Sequence, residues 1–547
     1  MSELAIPTER TRDRVKVVVP ASADVVIIGA GLGGLMSGVH LARAGRKVVI
    51  LDQHYVAGGC ATMFHRTTRD GRYQFDIGLH YIGDCGDEGK IPTLLRELDI
   101  SLDYIPMDDD GFDTIVLPGL TFPVPAGHDR YRDRLVGFFP REKRGIDRYV
   151  RLLKEVDHMS AFMEQRRSGA SAGALGMLWQ VVTKARLLPR YQSATIQDVL
   201  DDCTQDPELR AVLLGQSGDY GVAPDRASAL LHMGLQNHYF KGAWYPRGGG
   251  QVIADRLCEQ IEAAGGVVAL RQPVEGILVE DGRVAGVRVE PARAEPFEVR
   301  APVVISNADL KHTLQDLLPA GTTNSGPWAG RADRFEMGGA IMISCFGVQA
   351  DLRELGMQAR NYWCFDTNDM GAVYAGVASG SLDPRAVYIT SASLKDPDTH
   401  GHTPDGVMGV EVMALVPGRA EAWGVDVADI RSGAYRRSPV YQENKQRVED
   451  ALVGKLEEHF PGSAQHIVFR ETASPVTHTR FTRATDGTGY GLAATPEQFM
   501  KGRPGYRGPV PGLYLAGAST RSGHGIVGAM ASGRECAVRI QRDEGAT

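Results

Sequence analysis

The 547-residue chain carries 60 Lys and Arg against 67 Asp and Glu, a net charge of -7. It is long enough for two or three packed domains and lacks the concentrated positive charge that phosphate backbones require, so a nucleic-acid partner is excluded. Seven dispersed cysteines form no CxxC or zinc-like spacing, so no metal site is expected. No apolar run nears the roughly 20 residues of a spanning helix. The N-terminal "MSELAIPTERTRDRVKVVVPASAD" lacks the apolar stretch of a secretory signal. A cytoplasmic protein, free or resting on a membrane surface, is expected.

Taken in order, "DVVIIG" reads as a buried strand, "GGLMSGVHLARAG" as a helix with small residues on its packed side, and "KVVILD" as a second strand. This unit opens a doubly wound α/β sheet. From about residue 110 the pattern turns mainly helical, with helices expected at 144–165, 196–202 and 226–237. Strand signals return between 267 and 309, where Asp281-Gly282 suits a hairpin turn. Runs such as "GAIMISCFGV", "AVYIT" and "GVEVMALV" predict a second sheet, followed by a helix near 443–459. "GLYLAGAS" then reads as a strand returning to the first domain, closed by the helix "GIVGAMASGRECAVRI". The expected division is a discontinuous first domain (20–110, 240–310 and 505–545), a mainly helical insertion (111–239) and a mixed-sheet substrate domain (311–504).

Gly29, Gly31 and Gly34 form GxGxxG between strand and helix. The first allows a tight turn, the second lets backbone approach a pyrophosphate, and the third lets helix and strand pack closely. Asp52 ends the second strand, at the spacing that meets a ribose hydroxyl. A plain NAD site needs no more than this. The added pair Gly58-Gly59 supplies another flexible turn whose N–H groups reach the pyrophosphate, which suits a permanently held FAD. No second GxGxxG with strand and helix context is visible, so a bound nicotinamide is not expected and the electron partner is left open.

The segments "VAGGCATMF", "YQFDIGLHYIGD", "WYPRGGGQVIADRL", "VVISNAD" and "GLYLAGASTRSGHGIVGAMASG" resemble those of the phytoene desaturase-like flavoproteins, with the retinol saturase and carotenoid isomerase branch the nearest match. The resemblance implies a glutathione-reductase-like FAD domain built from separated segments. It also implies that Gly29, Gly31, Gly34, Asp52, Gly58 and Gly59 hold adenosine and pyrophosphate, with Val274 beside the adenine. Gly517, Ala518, Gly525, Ile526 and Val527 would pass the flavin ring and ribityl chain. Many relatives place Arg after the paired glycines where this chain has Cys60, to which no catalytic role is given.

With no cysteine pair, Ser-His-Asp set or metal-ligand set in view, flavin itself is the expected catalyst. His80, Tyr81, Tyr490 and His524 are the candidate side chains beside it, and His524, just before the closing helix, is the candidate proton donor. The resemblance implies saturation, desaturation or cis/trans isomerisation of a long apolar polyene, such as a retinoid, carotenoid or unsaturated fatty acid. An amine oxidase-like enzyme and a flavin-free carrier of prenyl lipids are the alternatives. The stretch 173–191, "GALGMLWQVVTKARLLPRY", joins Leu175, Met177, Leu178, Trp179, Val181, Val182, Leu187 and Leu188 to Lys184, Arg186 and Arg190. That combination fits a membrane interface as well as a core helix with a basic edge. At about 0.8 kcal/mol per CH₂, a twenty-carbon chain forfeits roughly 15 kcal/mol on entering water, so direct entry from a bilayer would favour such a substrate.

Overall fold

The computed structural model describes residues 13–167, 174–323, 326–399 and 402–545. Its first sheet is parallel and five-stranded, in the order Val267–Leu270, Val48–Asp52, Val25–Ile28, Val303–Ser306 and Leu513–Leu515. Both faces are covered because these strands are apolar at successive positions. Val25 and Ile27 point into a core made with the helices Leu32–Arg43, Gln251–Ala263 and Gly525–Gly545. Val26 and Ile28 point the other way, onto the antiparallel three-stranded sheet 274–300. That sheet contains the expected Asp281-Gly282 turn, with both residues at positive φ (49° and 74°).

The second sheet has seven strands, in the order Ile467–Ala473, Ala340–Val348, Met408–Val416, Ala386–Thr390, Asn361–Phe365, Asp113–Leu117 and Leu120–Val124. Asn361–Phe365 runs parallel to Asp113–Leu117, and the other pairs are antiparallel. The region expected to be mainly helical therefore begins with a hairpin that completes this sheet. Its two strands are only five residues each, too short to stand out, and their turn at Pro118-Gly119 puts Gly119 at φ 81°. Helices then follow, including Lys143–Arg167, Ala174–Lys184, Ile196–Cys203 and Ala229–Phe240. The last begins after Ser228, three residues later than the pattern suggested. Farther along the chain, the helix expected near 443 begins at Pro439, where Ser438 caps it and proline fits the first turn.

Phe112, Ile115 and Phe122 of the hairpin pack with Tyr131, Tyr149 and Leu153 of the helical layer, so this layer shares a core with the second sheet. No helix among the described residues is long and apolar enough to cross a membrane.

Candidate functional site

The glycine turn is packed to the limit of what glycine allows. A Cβ on Gly34 would lie 2.2 Å from the Gly29 carbonyl oxygen, and one on Gly31 would lie 2.7 Å from Asn307 Nδ2. Gly58 N–H donates to the Ala30 carbonyl at 2.7 Å, which sets the second glycine turn against the first. Gly58 does so at φ 129°, a conformation that favours glycine. Asp52 accepts from Ala30 N (2.6 Å) and His54 N (2.7 Å). It therefore also braces the turn it was expected to serve. Burial pushes its carboxyl pKa up against those two bonds.

Both turns open onto one cavity of about 1480 Å³. Gly29, Gly31, Asp52, Gly58, Gly59 and Val274 line one part of it, and Gly517, Ala518, Gly525, Ile526 and Val527 line another. Gly34 does not reach the cavity; it packs helix against strand. Gly525 begins a 21-residue helix, whose unpaired N–H groups and positive dipole end favour a developing negative charge. Backbone donors, side-chain-free approaches and a helix end converging on one long cleft fit a flavin dinucleotide. Cys60 is exposed where it opens onto this cavity.

The four candidate side chains all line the same cavity. His524 packs edge-on against Tyr490, with ring centroids 5.6 Å apart. Burial, then the nearby Arg503 charge, lowers the His524 pKa to about 3. It is thus a neutral imidazole at neutral pH, poorly suited to the proton donation expected of it. Tyr490 gives its hydroxyl proton to the Gly218 carbonyl at 2.7 Å. His80 is likewise neutral, its pKa lowered to about 3 by burial first and the Lys395 charge second.

Tyr81 leads to a cluster that no motif announced. Its hydroxyl lies 3.1 Å from Asp113 Oδ2 and 3.1 Å from Asp219 Oδ2. Asp113 also accepts from Gln216 Nε2 (2.7 Å), Asn361 Nδ2 (2.9 Å) and Trp363 Nε1 (3.2 Å). Asn361 stands directly opposite Asp113 in the sheet register. Asp219 hydrogen-bonds Tyr239 and lines the cavity, where Tyr388 and Trp363 also stand. Burial raises the Asp113 pKa to about 6 despite its donors. Burial, then the Asp113 charge, raises that of Asp219 to about 7. These residues come from separate stretches of chain, and the one local hint is a charged residue inside the apolar run "FDTIVL".

A Rossmann-type cradle for a dinucleotide, opening on a large and mostly apolar cavity, defines a flavoprotein oxidoreductase. Residues 27–98 match the model of an NAD(P)-binding Rossmann-like domain, and residues 442–541 match that of flavin containing amine oxidoreductase. The chain is 30% identical over 514 residues to an all-trans-retinol 13,14-reductase of Danio rerio, which covers 91% of this chain and 83% of that one. It is 25% identical over 533 residues to the chloroplastic prolycopene isomerase 1 of an Oncidium hybrid cultivar, covering 95% and 84%. An oxidoreductase from Methanosarcina mazei shares the fold, with a TM-score of 0.61 at 17% identity over 95% of this chain and 99% of that one. The chain belongs to the phytoene desaturase-like flavoproteins, in the branch of retinol saturases and carotenoid isomerases. It is a flavin-dependent oxidoreductase acting on carbon–carbon bonds.

Proposed function

We propose that the protein binds FAD and reduces a carbon–carbon double bond in a long, apolar polyene of the retinoid or carotenoid type. The observation that carries this reading is the continuity of the cofactor cradle with one large cavity, in a chain whose likeness to a retinol reductase spans 91% of its length. Bound flavin supplies hydride or single-electron exchange with an extended alkene. The protein's part is to hold and exclude. Gly29, Gly31, Gly58 and Gly59 take the pyrophosphate by backbone, Asp52 braces them, and the residues after Gly517 pass the flavin ring. Leu231, Leu235, Ile341, Ile343, Phe365 and Met413 line the cavity with hydrocarbon that orients a polyene by shape.

Isomerisation is the second reading, favoured by the likeness to a prolycopene isomerase over 95% of the chain. A lipid-side entrance through 173–191 forms part of the proposal. Trp179 and Val182 are 58% and 55% exposed on the helix Ala174–Lys184, and exposed Arg186 and Arg190 follow. Such an edge suits the boundary between headgroups and acyl chains. Gly173 and the side chains of Leu175 and Leu178 lie outside the described residues.

The test is anaerobic reoxidation of the reduced holoprotein by retinoids, carotenoids and unsaturated fatty acids, with amines offered to the oxidised form. Reoxidation by a polyene is the expected result. A protein that is colourless and takes up no FAD, or one whose oxidised flavin is reduced by amines alone, would overturn the reading.

A further inference from the structure

We propose that Asp219 is the acid that protonates the substrate alkene, and that Tyr81 and Asp113 position it. This rests on the polyene-reduction reading, because adding a hydride to the alkene calls for one proton beside it, whereas an isomerisation takes up none. The geometry turns on a count of hydrogens. The Tyr81 hydroxyl has one proton and stands 3.1 Å from an oxygen of each carboxyl. Both contacts are full hydrogen bonds only when one carboxyl carries a proton and donates it to the Tyr81 oxygen, while Tyr81 donates to the other. Asp113 is the acceptor: Asn361, Gln216 and Trp363 also donate to it, and these bonds favour its ionised form. Asp219, with fewer donors and the Asp113 charge beyond Tyr81, keeps the proton and meets the cavity. The two carboxyls thus divide into anion and acid, as paired acids do when their environments differ.

The other titratable groups around Asp219 are Tyr239, Tyr374, Tyr388, Tyr490 and the adjacent Tyr220, all phenols that burial holds neutral. Lys395 lies beyond Asp113, donating to Asn361 Oδ1 at 3.2 Å and to Thr390 Oγ1 at 2.7 Å. Its charge acts on Asp113, which further favours the anion there. In addition, the Tyr388 ring packs next to Trp363, with ring centroids 4.5 Å apart.

In the step, the carbon–carbon π bond, the Asp219 O–H bond and the hydride-donating N–H bond of the anionic reduced flavin break, and two C–H bonds form. The alkene is reduced, flavin is oxidised, and Asp219 is left as a carboxylate to be reprotonated from water. An external two-electron donor, dithionite in the test below, restores the flavin.

The experiment has two arms. Infrared difference titration of flavin-loaded wild type and Asp219→Asn reads the proton directly: the wild type is expected to show a protonated-carboxyl band at neutral pH that Asp219→Asn lacks. Anaerobic single turnover with a polyene that reoxidises the wild type then reads its use. Asp219→Asn is expected to slow reoxidation at least 100-fold with its flavin spectrum intact. Asp219→Glu should restore part of the rate, and Asp113→Asn should shift the pH profile by removing the neighbouring charge. An identical neutral-pH carboxyl band in both proteins, or an Asp219→Asn rate within threefold of wild type, would overturn the assignment and leave the polyene reading standing. A wild type that no polyene reoxidises would bring down the reading and this step together.

Discussion

Gly33, on the first cofactor helix, and Gly517, where the chain returns after the last strand of the sheet, touch backbone to backbone. A Cβ on Gly33 would lie 2.7 Å from the Gly517 nitrogen and 2.6 Å from Asn307 Oδ1. None of these atoms is the free end of a long side chain, so none can easily swing aside. Gly33→Ala is expected to spread the two halves of the cradle, costing about 1–3 kcal/mol by overpacking and lowering the flavin content of purified protein. Melting temperature and visible absorbance per mole of protein check this; unchanged values in both would show that the close approach is not required.

Tyr490 was a candidate for chemistry, and the structure gives its hydroxyl a backbone partner, the Gly218 carbonyl next to Asp219. Tyr490→Phe should therefore cost about 0.5–1.5 kcal/mol in denaturant unfolding, the net value of one hydrogen bond, and leave flavin binding in place. Turnover should fall by no more than about tenfold. A loss comparable with that of Asp219→Asn in a stable, flavin-loaded protein would instead give the phenol a direct part.

Glu411 is 1% exposed on the second sheet, within the field of Asp76 and Lys395. Burial first, then the Asp76 charge, drives its pKa up against the opposing Lys395 charge. A carboxyl whose pKa is raised on folding stabilises the fold in full below the unfolded value and loses that contribution as pH rises toward the folded value. Glu411→Gln, which mimics the protonated acid, should match wild type near pH 4.5 and gain on it as pH rises above that. Urea unfolding at pH 5 and pH 7.5 checks the sign, with a relative gain of at least about 1 kcal/mol expected.

His232 is fully buried on the helix that also carries Tyr239 to Asp219, and its ring hydrogen-bonds the hydroxyls of Tyr149 (2.9 Å) and Tyr220 (3.0 Å). Burial lowers its pKa to about 3. The unfolded chain binds the proton first, so the wild type loses stability as pH falls from about 6.5 toward 3. His232→Gln should be the less stable protein at pH 7, and its deficit should shrink by about 2 kcal/mol at pH 5. A deficit that grows on acidification would mean that the imidazole is charged in the fold.

The opening strand, glycine turn, helix and strand were legible in the sequence because that unit is local: strand, glycines, helix and acid fall within 30 residues. The parallel sheet was legible for a similar reason, since "DVVIIG" and "PVVISNAD" are apolar at successive positions. The Asp113 and Asp219 cluster was not. Its residues come from six stretches between Tyr81 and Tyr388, and sheet register alone puts Asn361 opposite Asp113. Likewise, a sequence can mark His524 as next to the closing helix, but whether its imidazole is charged depends on burial that only the packed fold sets.

The most direct test of the whole account is the mass of the product. Dithionite-reduced holoprotein is mixed anaerobically with a polyene in D₂O, and the recovered lipid is examined by mass spectrometry. The account predicts oxidised flavin and a dihydro product carrying solvent deuterium at the two carbons of the former double bond. A recovered polyene of unchanged mass, whether isomerised or not, would contradict it.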